Sequence, residues 1–186
     1  MRIISGSARG TKLYTLEGLA TRPTLDRVKE SLFNIIQSEL WDCVFLDLFA
    51  GSGAIGLEAA SRGARQVILA DKSPEAISVI NKNIEKTHLR DKVIVHQDSF
   101  ERVLEAKLNN QLDFIYLDPP YKTHMAIEAI TICLNNKFVT SDTKIILETD
   151  LQEIEQELQN LPVEVIDKRR YGRAILYMIK KSPLTE

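Results

Sequence analysis

The stretch Leu112-Asp113-Phe114-Ile115-Tyr116-Leu117 runs directly into Asp118-Pro119-Pro120-Tyr121. Each proline fixes φ and removes a backbone N–H, so this loop is stiff and presents carbonyl oxygens without competing donors. An exocyclic amine on a nucleobase is a poor nucleophile, because its lone pair is delocalised into the ring. The Asp118 carboxylate and the Pro119 carbonyl can accept its two N–H groups and direct the lone pair at an incoming methyl group, while Tyr121 stacks on the base. The methylated product loses its proton readily, so no strong base is required, and positioning alone can supply ~7–11 kcal/mol. A rigid strand-to-helix turn is the plain structural reading of the same residues.

A second constellation lies upstream. Asp47-Leu48-Phe49-Ala50-Gly51-Ser52-Gly53-Ala54-Ile55-Gly56 holds a G-x-G-x-x-G spacing between a predicted strand and a predicted helix. Glycines there permit tight turning and close approach of backbone to ligand, and the helix start offers free N–H groups. Asp47 changes the expected ligand. A carboxylate beside the loop repels a pyrophosphate but attracts an ammonium group, which favours S-adenosylmethionine over a dinucleotide. Phe49, Ala50, Gly51, Ser52, Gly53 and Gly56 are the candidate loop contacts. Asp71, followed by Lys72, ends the second strand, where an acidic side chain can accept both ribose hydroxyls. Asp98 follows the third strand and can accept from the adenine amine, with Ser99 or Phe100 beside it. Capping of the following helices is the alternative role for Asp71 and Asp98, and it is compatible with ligand binding.

These residues need a scaffold that brings strand ends together. Apolar runs rich in Val, Ile and Leu recur at Cys43–Phe49, Gln66–Ala70, Lys92–His96, Leu112–Leu117, Thr143–Leu147 and Val163–Ile166, most of them separated by helix-length segments. Near-continuous runs suit strands covered on both faces, and strand–helix alternation argues a doubly wound α/β fold with a mostly parallel sheet. Ser73-Pro74-Glu75 predicts a capped helix start, with Ala76, Ile77, Ile80 and Ile84 on one face. Val163–Lys168 and Ala174–Lys180 flank Arg169-Arg170-Tyr171-Gly172-Arg173, which reads as an antiparallel hairpin closing a seven-stranded sheet. At the other terminus, Arg2–Ser5 and Thr11–Leu16 read as a small hairpin around a basic, glycine-bounded loop. A helix is expected from about Leu25, with Thr24 as N-cap and Leu25, Val28, Leu32, Ile35 and Ile36 facing inward. Residues 1–40 are thus expected to form an extension on the same domain as residues 41–186.

Composition bounds the rest. A chain of 186 residues with 44% hydrophobic residues and net charge −2 predicts a single packed core, neither disordered nor uniformly polyanion-binding. No apolar run approaches the ~20 residues of a membrane-spanning helix, and the start lacks a signal peptide, so a soluble, cytoplasmic protein is expected. Cys43 and Cys133 read as buried thiols, and His88, His96 and His124 are isolated, so no metal site is expected. His124 reads as a helix-start or solvent residue. The charge is uneven: Lys168, Arg169, Arg170, Arg173, Lys180 and Lys181 lie in a segment without acidic residues, whereas Glu148, Asp150, Glu153, Glu155 and Glu157 form an acidic run read as the solvated face of a helix.

Asp47–Gly56 and Asp118–Tyr121 together resemble the class I S-adenosylmethionine-dependent amino-methyltransferases. The likeness narrows: Arg2-Ile3-Ile4-Ser5-Gly6, the stretch Arg22-Pro23-Thr24-Leu25-Asp26-Arg27-Val28-Lys29-Glu30 with Leu32-Phe33-Asn34, Asp47–Gly53 and the closing Tyr171-Gly172 pair are similar to the RsmD family. The resemblance implies a Rossmann-like fold, S-adenosylmethionine as cofactor, and methylation of the N2 amine of one guanine in 16S ribosomal RNA, within small ribosomal subunits or their assembly intermediates. It also makes residues 1–40 an RNA-contacting extension of a methyltransferase domain of residues 41–186, and places Arg22, Thr24 and Arg27 over the active site. With them, Arg9, Lys12, Lys168, Arg169, Arg170 and Arg173 are the candidate RNA contacts of an expected monomer. Two other classes stay open at this point: a different nucleic-acid amino-methyltransferase acting on adenine N6 or on DNA, and a non-catalytic RNA-binding assembly protein.

Overall fold

Runs that are apolar at every position cannot leave one face to solvent, and the sheet they build is covered on both sides. The computed structural model describes residues 1–16, 23–120, 124–151 and 154–183, the side chains of 23–26 excepted. In it β1 (Val44–Asp47), β2 (Gln66–Asp71), β3 (Val93–Gln97), β4 (Phe114–Leu117) and β5 (Lys144–Thr149) run parallel. They are completed by the antiparallel pair β6 (Val163–Tyr171) and β7 (Ala174–Lys181), giving seven strands in the order β3-β2-β1-β4-β5-β7-β6. This is the expected doubly wound, Rossmann-like sheet with its closing hairpin. All four residues of β1 and all four of β4 are buried, as central strands of such a sheet require.

Alternation along the strands sorts the core into two layers. On one face Phe45, Val67, Phe114, Tyr116, Ile146 and Leu176 pack beneath α1 (Pro23–Ile36), α2 (Ala54–Ser61), α3 (Pro74–Thr87) and the N-terminal residues Ile3, Ala8 and Leu13. Phe33, Phe45 and Phe114 stack in succession there, with centroids 6.4 and 6.0 Å apart. On the other face Leu46, Ile115, Leu117 and Leu147 meet α4 (Phe100–Arg102), α5 (Met125–Leu134) and α6 (Ile154–Gln159). Ser73 caps α3 through its Oγ, and Ala76, Ile80 and Ile84 are buried, as the spacing predicts. Cys43 and Cys133 are buried, and burial first of all pushes each thiol up to about 12.

The N-terminal residues share the first layer of core instead of forming a separate one. Glu58 of α2, buried in that layer, accepts from the backbone N–H groups of Ile4 (2.8 Å) and Ser5 (2.9 Å), from Arg62 Nε (2.8 Å), and pairs with the buried Lys29 at 3.2 Å. Those bonds take donors that a longer hairpin would need, and the expected hairpin is reduced to the single bridge Arg2–Lys12.

Four further expectations are corrected. Helix α1 begins at Pro23, so Thr24 lies inside its first turn and is not its N-cap; the fixed φ of proline suits the first helical position. The helix expected after Asp98 is one turn of α4 followed by a π-turn, Val103–Lys107. Strand β6 continues past Lys168 to Tyr171, so Arg169, Arg170 and Tyr171 are strand residues and only Gly172-Arg173 form the turn. Glu148 is not on a solvated helix: it belongs to β5 and is 3% exposed.

Candidate active site

Strand order reverses between β1 and β4, each of which continues outward on a different side, and the crevice at their carboxyl ends is where a doubly wound sheet binds ligands. Asp47 is the last residue of β1 and lies on the α1–α2 face. It is 1% exposed; its Oδ2 accepts from Gly56 N at 3.1 Å, and its Oδ1 is buried without a hydrogen-bond partner. Burial, opposed by the Gly56 N–H and reinforced by the Asp71 charge, raises its carboxyl to about 7. A buried carboxylate oxygen with no donor is costly unless a ligand supplies one.

The loop beside it is shaped for that ligand. Gly51 has φ +54°, and a Cβ there would meet no atom within 4 Å, so the backbone borders open space. A Cβ on Gly56 would lie 2.2 Å from Leu69 Cδ2 and 2.9 Å from Val67 Cγ1, so α2 can approach β2 this closely only through glycine. Asp71 holds the loop from the far side: Oδ2 accepts from Gly51 N and Oδ1 from Ser73 N, both at 2.9 Å. Asp71 thus ties the glycine loop to the start of α3, whose cap is Ser73 itself. Phe49 packs on Phe100 with ring centroids 5.5 Å apart, making an apolar wall. Ser52 is tied back through its carbonyl to Asn83 Nδ2 at 2.9 Å, Gly53 and Ala50 are buried, and Lys72 is exposed. Asp98 is half-buried and ion-paired with Arg102 (3.5 Å) and Lys107 (4.0 Å), while Ser99 Oγ caps α4. The lone acceptor Oδ1, the open flank of Gly51 and the carboxylate at the end of β2 together fit an aminoacyl nucleoside with a free ammonium, the expected cofactor.

Strand β4 delivers Asp118, Pro119 and Pro120 to the same crevice, next to β1. Asp118 is largely enclosed and Pro119 buried. The Asp118 carboxyl is held well above the usual carboxylate range, by burial first and then by the charges of Glu148, Asp47 and Asp150. Tyr121, expected to stack on the base, lies outside the described residues. The expectation that the acidic run is a helix face conceals two members of this site, Glu148 and Asp150. Glu148 Oε2 accepts a short hydrogen bond from the buried Tyr116 hydroxyl. The signal is present in the sequence: Glu148 directly follows the apolar run Thr143–Leu147, as Asp71 and Asp118 follow theirs.

The basic candidates divide by position. Pairing of Thr149 with Ile175 and Tyr171 with Ala174 places the Gly172-Arg173 turn at the carboxyl end of the parallel strands, beside the crevice. Lys168 is bound to Glu155, Arg169 to Asp167 (2.9 Å) and Arg170 to the Gly172 carbonyl (3.2 Å), while Arg173 is exposed. Helix α1 leads through Gln37–Glu39 into the amino end of β1, so its first turns, with exposed Arg27, lie at the crevice end. Arg22 lies outside the described residues, as does the Thr24 side chain. Arg9 sits elsewhere: its loop is docked on the last residue of α2, with Ser7 N on Ser61 O (2.8 Å) and Ala8 N on Ser61 Oγ (2.9 Å), at the end of the sheet away from the glycine loop. Lys12 is exposed beside Arg2. The basic surface expected from both chain ends is therefore not one patch. Among the described residues no cluster of His, Cys, Asp and Glu could hold a metal ion, and no helix is long and apolar enough to cross a membrane.

Comparison with known proteins agrees with the arrangement. Residues 1–180 match the family model described as Conserved hypothetical protein 95. YlbH of Bacillus subtilis, assigned as an rRNA methyltransferase, is 37% identical over 188 residues, covering 97% of this chain and 99% of that one. Ribosomal RNA small subunit methyltransferase D of Haemophilus influenzae is 34% identical over 152 residues, 81% of this chain and 79% of its own. The solved structure of yhhF from Escherichia coli, assigned as a methyltransferase, matches with a TM-score of 0.83 at 28% identity over 98% of each chain. A family match over nearly the whole length, added to motifs that converge on one crevice, leaves one assignment: the chain belongs to the RsmD family.

Proposed function

We propose that this protein is an S-adenosylmethionine-dependent rRNA methyltransferase that modifies the exocyclic N2 amine of a guanine in 16S ribosomal RNA. Its substrate is the small ribosomal subunit or an assembly intermediate, and it acts as a cytoplasmic monomer. The observation that carries the reading is the meeting of two acceptors at the strand-order reversal: Asp47, with its unpartnered buried Oδ1, and Asp118 on the stiff Pro119-Pro120 loop. The names of the curated relatives, ribosomal RNA small subunit methyltransferase D among them, support the RNA substrate.

In this role Asp47 Oδ1 takes the ammonium of the cofactor, the Gly51 and Gly53 backbone borders it, Asp71 accepts from the ribose, and Asp98 faces the adenine amine. S-Adenosylmethionine, when bound, supplies an electrophilic methyl on a sulfonium centre. Asp118 and the Pro119 carbonyl hold the two N–H groups of the target amine, which turns its lone pair toward that methyl and charges the nitrogen less unfavourably as the new bond forms. Burial and the neighbouring carboxylates raise the affinity of Asp118 for protons, so in its ionised form it can take the proton released from nitrogen. Residues 1–40 form the RNA-contacting extension, with Arg27 at the crevice end of α1 and Arg173 on the hairpin turn opposite; Arg22 and Thr24 are the further RNA contacts of this extension.

The test is to incubate the protein with labelled cofactor and small subunits, deproteinised 16S and 23S RNA, or DNA, and to map the methylated atom. N2-methylguanine at one position of 16S RNA is expected. Methylation at adenine N6, or in DNA alone, would replace this reading by the other amino-methyltransferase.

A further inference from the structure

On the reading that the target is a guanine N2 amine, we infer that Glu148 determines base specificity: its carboxylate accepts the N1–H of the guanine whose N2 amine is held by Asp118.

The placement comes from register. Leu117 of β4 pairs with Leu147 of β5, so the next positions, Asp118 and Glu148, lie side by side. Tyr116 and Ile146, one residue before those pairs, belong to the α1–α2 layer, and alternation returns Asp118 and Glu148 to that layer. Glu148 is 3% exposed, and the Tyr116 hydroxyl donates to its Oε2, which fixes the carboxylate while using one of its acceptor sites. The charges acting most on Asp118 are the carboxylates of Glu148, Asp47 and Asp150, all of one sign. In their ionised form these carboxylates attract N–H donors and repel acceptor lone pairs.

That chemistry separates the bases. Next to its exocyclic amine guanine carries N1–H, so two adjacent groups donate. Adenine carries a bare N1 beside N6, and cytosine a bare N3 beside N4, so each would set a lone pair against a carboxylate. Two neighbouring carboxyls, one per N–H, therefore match only the guanine edge among the bases that carry an exocyclic amine. Leaving a buried acceptor opposed by another acceptor is the kind of mismatch that discriminates strongly.

The experiment uses 16S RNA carrying either guanine or 2-aminopurine at the mapped position, reconstituted with small-subunit proteins. 2-Aminopurine keeps the N2 amine but replaces N1–H by a bare acceptor. Single-turnover methyl transfer is measured for the wild type and for Glu148→Gln, with cofactor saturating, and base entry is followed by 2-aminopurine fluorescence. The wild type should prefer guanine by ~100-fold. Glu148→Gln, whose amide can donate to a bare N1 and still accept from Tyr116, should narrow that ratio by ~10-fold or more and strengthen the fluorescence response. The loss of O6 in 2-aminopurine is common to both enzymes and cancels in the comparison. A ratio that Glu148→Gln leaves unchanged, whether or not both rates fall together, overturns the inference. If Glu148→Gln does not fold, Tyr116→Phe, which releases the Glu148 carboxylate, should narrow the ratio by about threefold, and an unchanged ratio there overturns the inference equally. A wild type that puts its methyl group on adenine instead removes the guanine reading itself, a result seen in the mapping experiment before any variant is made.

Discussion

Replacing Asp47 by Asn should stabilise the free protein while weakening its grip on the cofactor, and the two effects should depend on pH in a defined way. The Asp47 carboxyl moves from 3.8 to about 7 on folding, chiefly because it is buried with one oxygen unpartnered. The folded chain thus binds this proton more tightly than the unfolded chain. Stability contributed by the group is intact below about pH 4, falls as pH rises through the interval, and is fully lost above about pH 7. At 1.36 kcal/mol per unit the cost at pH 8 is on the order of 4 kcal/mol. Asn carries no charge, but it brings an amide N–H that lacks an acceptor at the Oδ1 position, an offset of ~1–3 kcal/mol.

The change with pH is free of that offset. Between pH 5 and pH 8 about two units of the shift are traversed, so the stability of Asp47→Asn relative to wild type should rise by ~2–3 kcal/mol. For a chain of this length that is roughly 5–10 °C in the difference of melting temperatures. Urea or thermal unfolding of the cofactor-free proteins at both pH values measures it. Calorimetric titration supplies the second half: wild-type affinity should fall by up to tenfold per unit below pH 7, since binding an ammonium then requires Asp47 to release its proton. The variant should be weaker by ~1.5–3 kcal/mol at pH 8 and insensitive to pH. A stability difference that is the same at pH 5 and pH 8 would refute the claim that Asp47 is a buried, unpaired carboxylate waiting for a cation.

Asp118→Ala should slow single-turnover methyl transfer by 100-fold or more, about 2.7 kcal/mol, with cofactor affinity retained; wild-type transfer rates would remove Asp118 from the chemistry. Replacing Arg27 and Arg173 by Ala should flatten the salt dependence of RNA binding by ~0.7–0.9 log units for each phosphate no longer neutralised, whereas Arg9→Ala, at the far end of α2, should leave the slope unchanged. Equal slopes in all three proteins would place the RNA elsewhere. Glu58→Ala should destabilise the fold by ~3–5 kcal/mol, because it removes the carboxylate that pairs with the buried Lys29 and releases the Ile4 and Ser5 N–H groups. Protease should then cut first within residues 1–16, and unaltered resistance would deny Glu58 that role.

The parts of the molecule legible in the sequence are those with one physical cause. Apolar runs too continuous for a half-exposed sheet mark the strands, and Ser73-Pro74 marks the start of α3, because a cap and a fixed φ act locally. The crevice follows from glycine spacing and from Asp118-Pro119-Pro120. What stays hidden depends on partners distant in the chain. Glu148 sits among acidic residues that resemble a solvated helix face, and only the pairing of β4 with β5 turns it toward Tyr116 and Asp118. The docking of residues 3–8 on α2 depends on Glu58 and Ser61, some fifty residues away, and that docking moves Arg9 from the expected basic surface to the opposite end. Arg169 and Arg170 read as part of the hairpin turn because charge suggests exposure, yet an edge strand exposes charge equally well.

The distribution of charge constrains how a polyanion can use this site on the proposed function. Asp47, Asp71, Asp118 and Glu148 stand at the ends of four parallel strands, and Asp150 adds its charge to Asp118. Phosphate groups are repelled from that row, and the repulsion is screened only over ~8 Å at physiological salt. The same row favours a cationic cofactor and the N–H edge of a base. Cations that can hold phosphates lie on the margins, Arg27 near the start of α1 and Arg173 on the hairpin turn. An RNA strand engaged by those margins would keep its backbone outside while a single base turns inward, which is the arrangement needed to reach an exocyclic amine that pairing otherwise conceals. Two opposed requirements thus meet in one crevice, and neutralising Glu148 would weaken the inner one while leaving the outer intact.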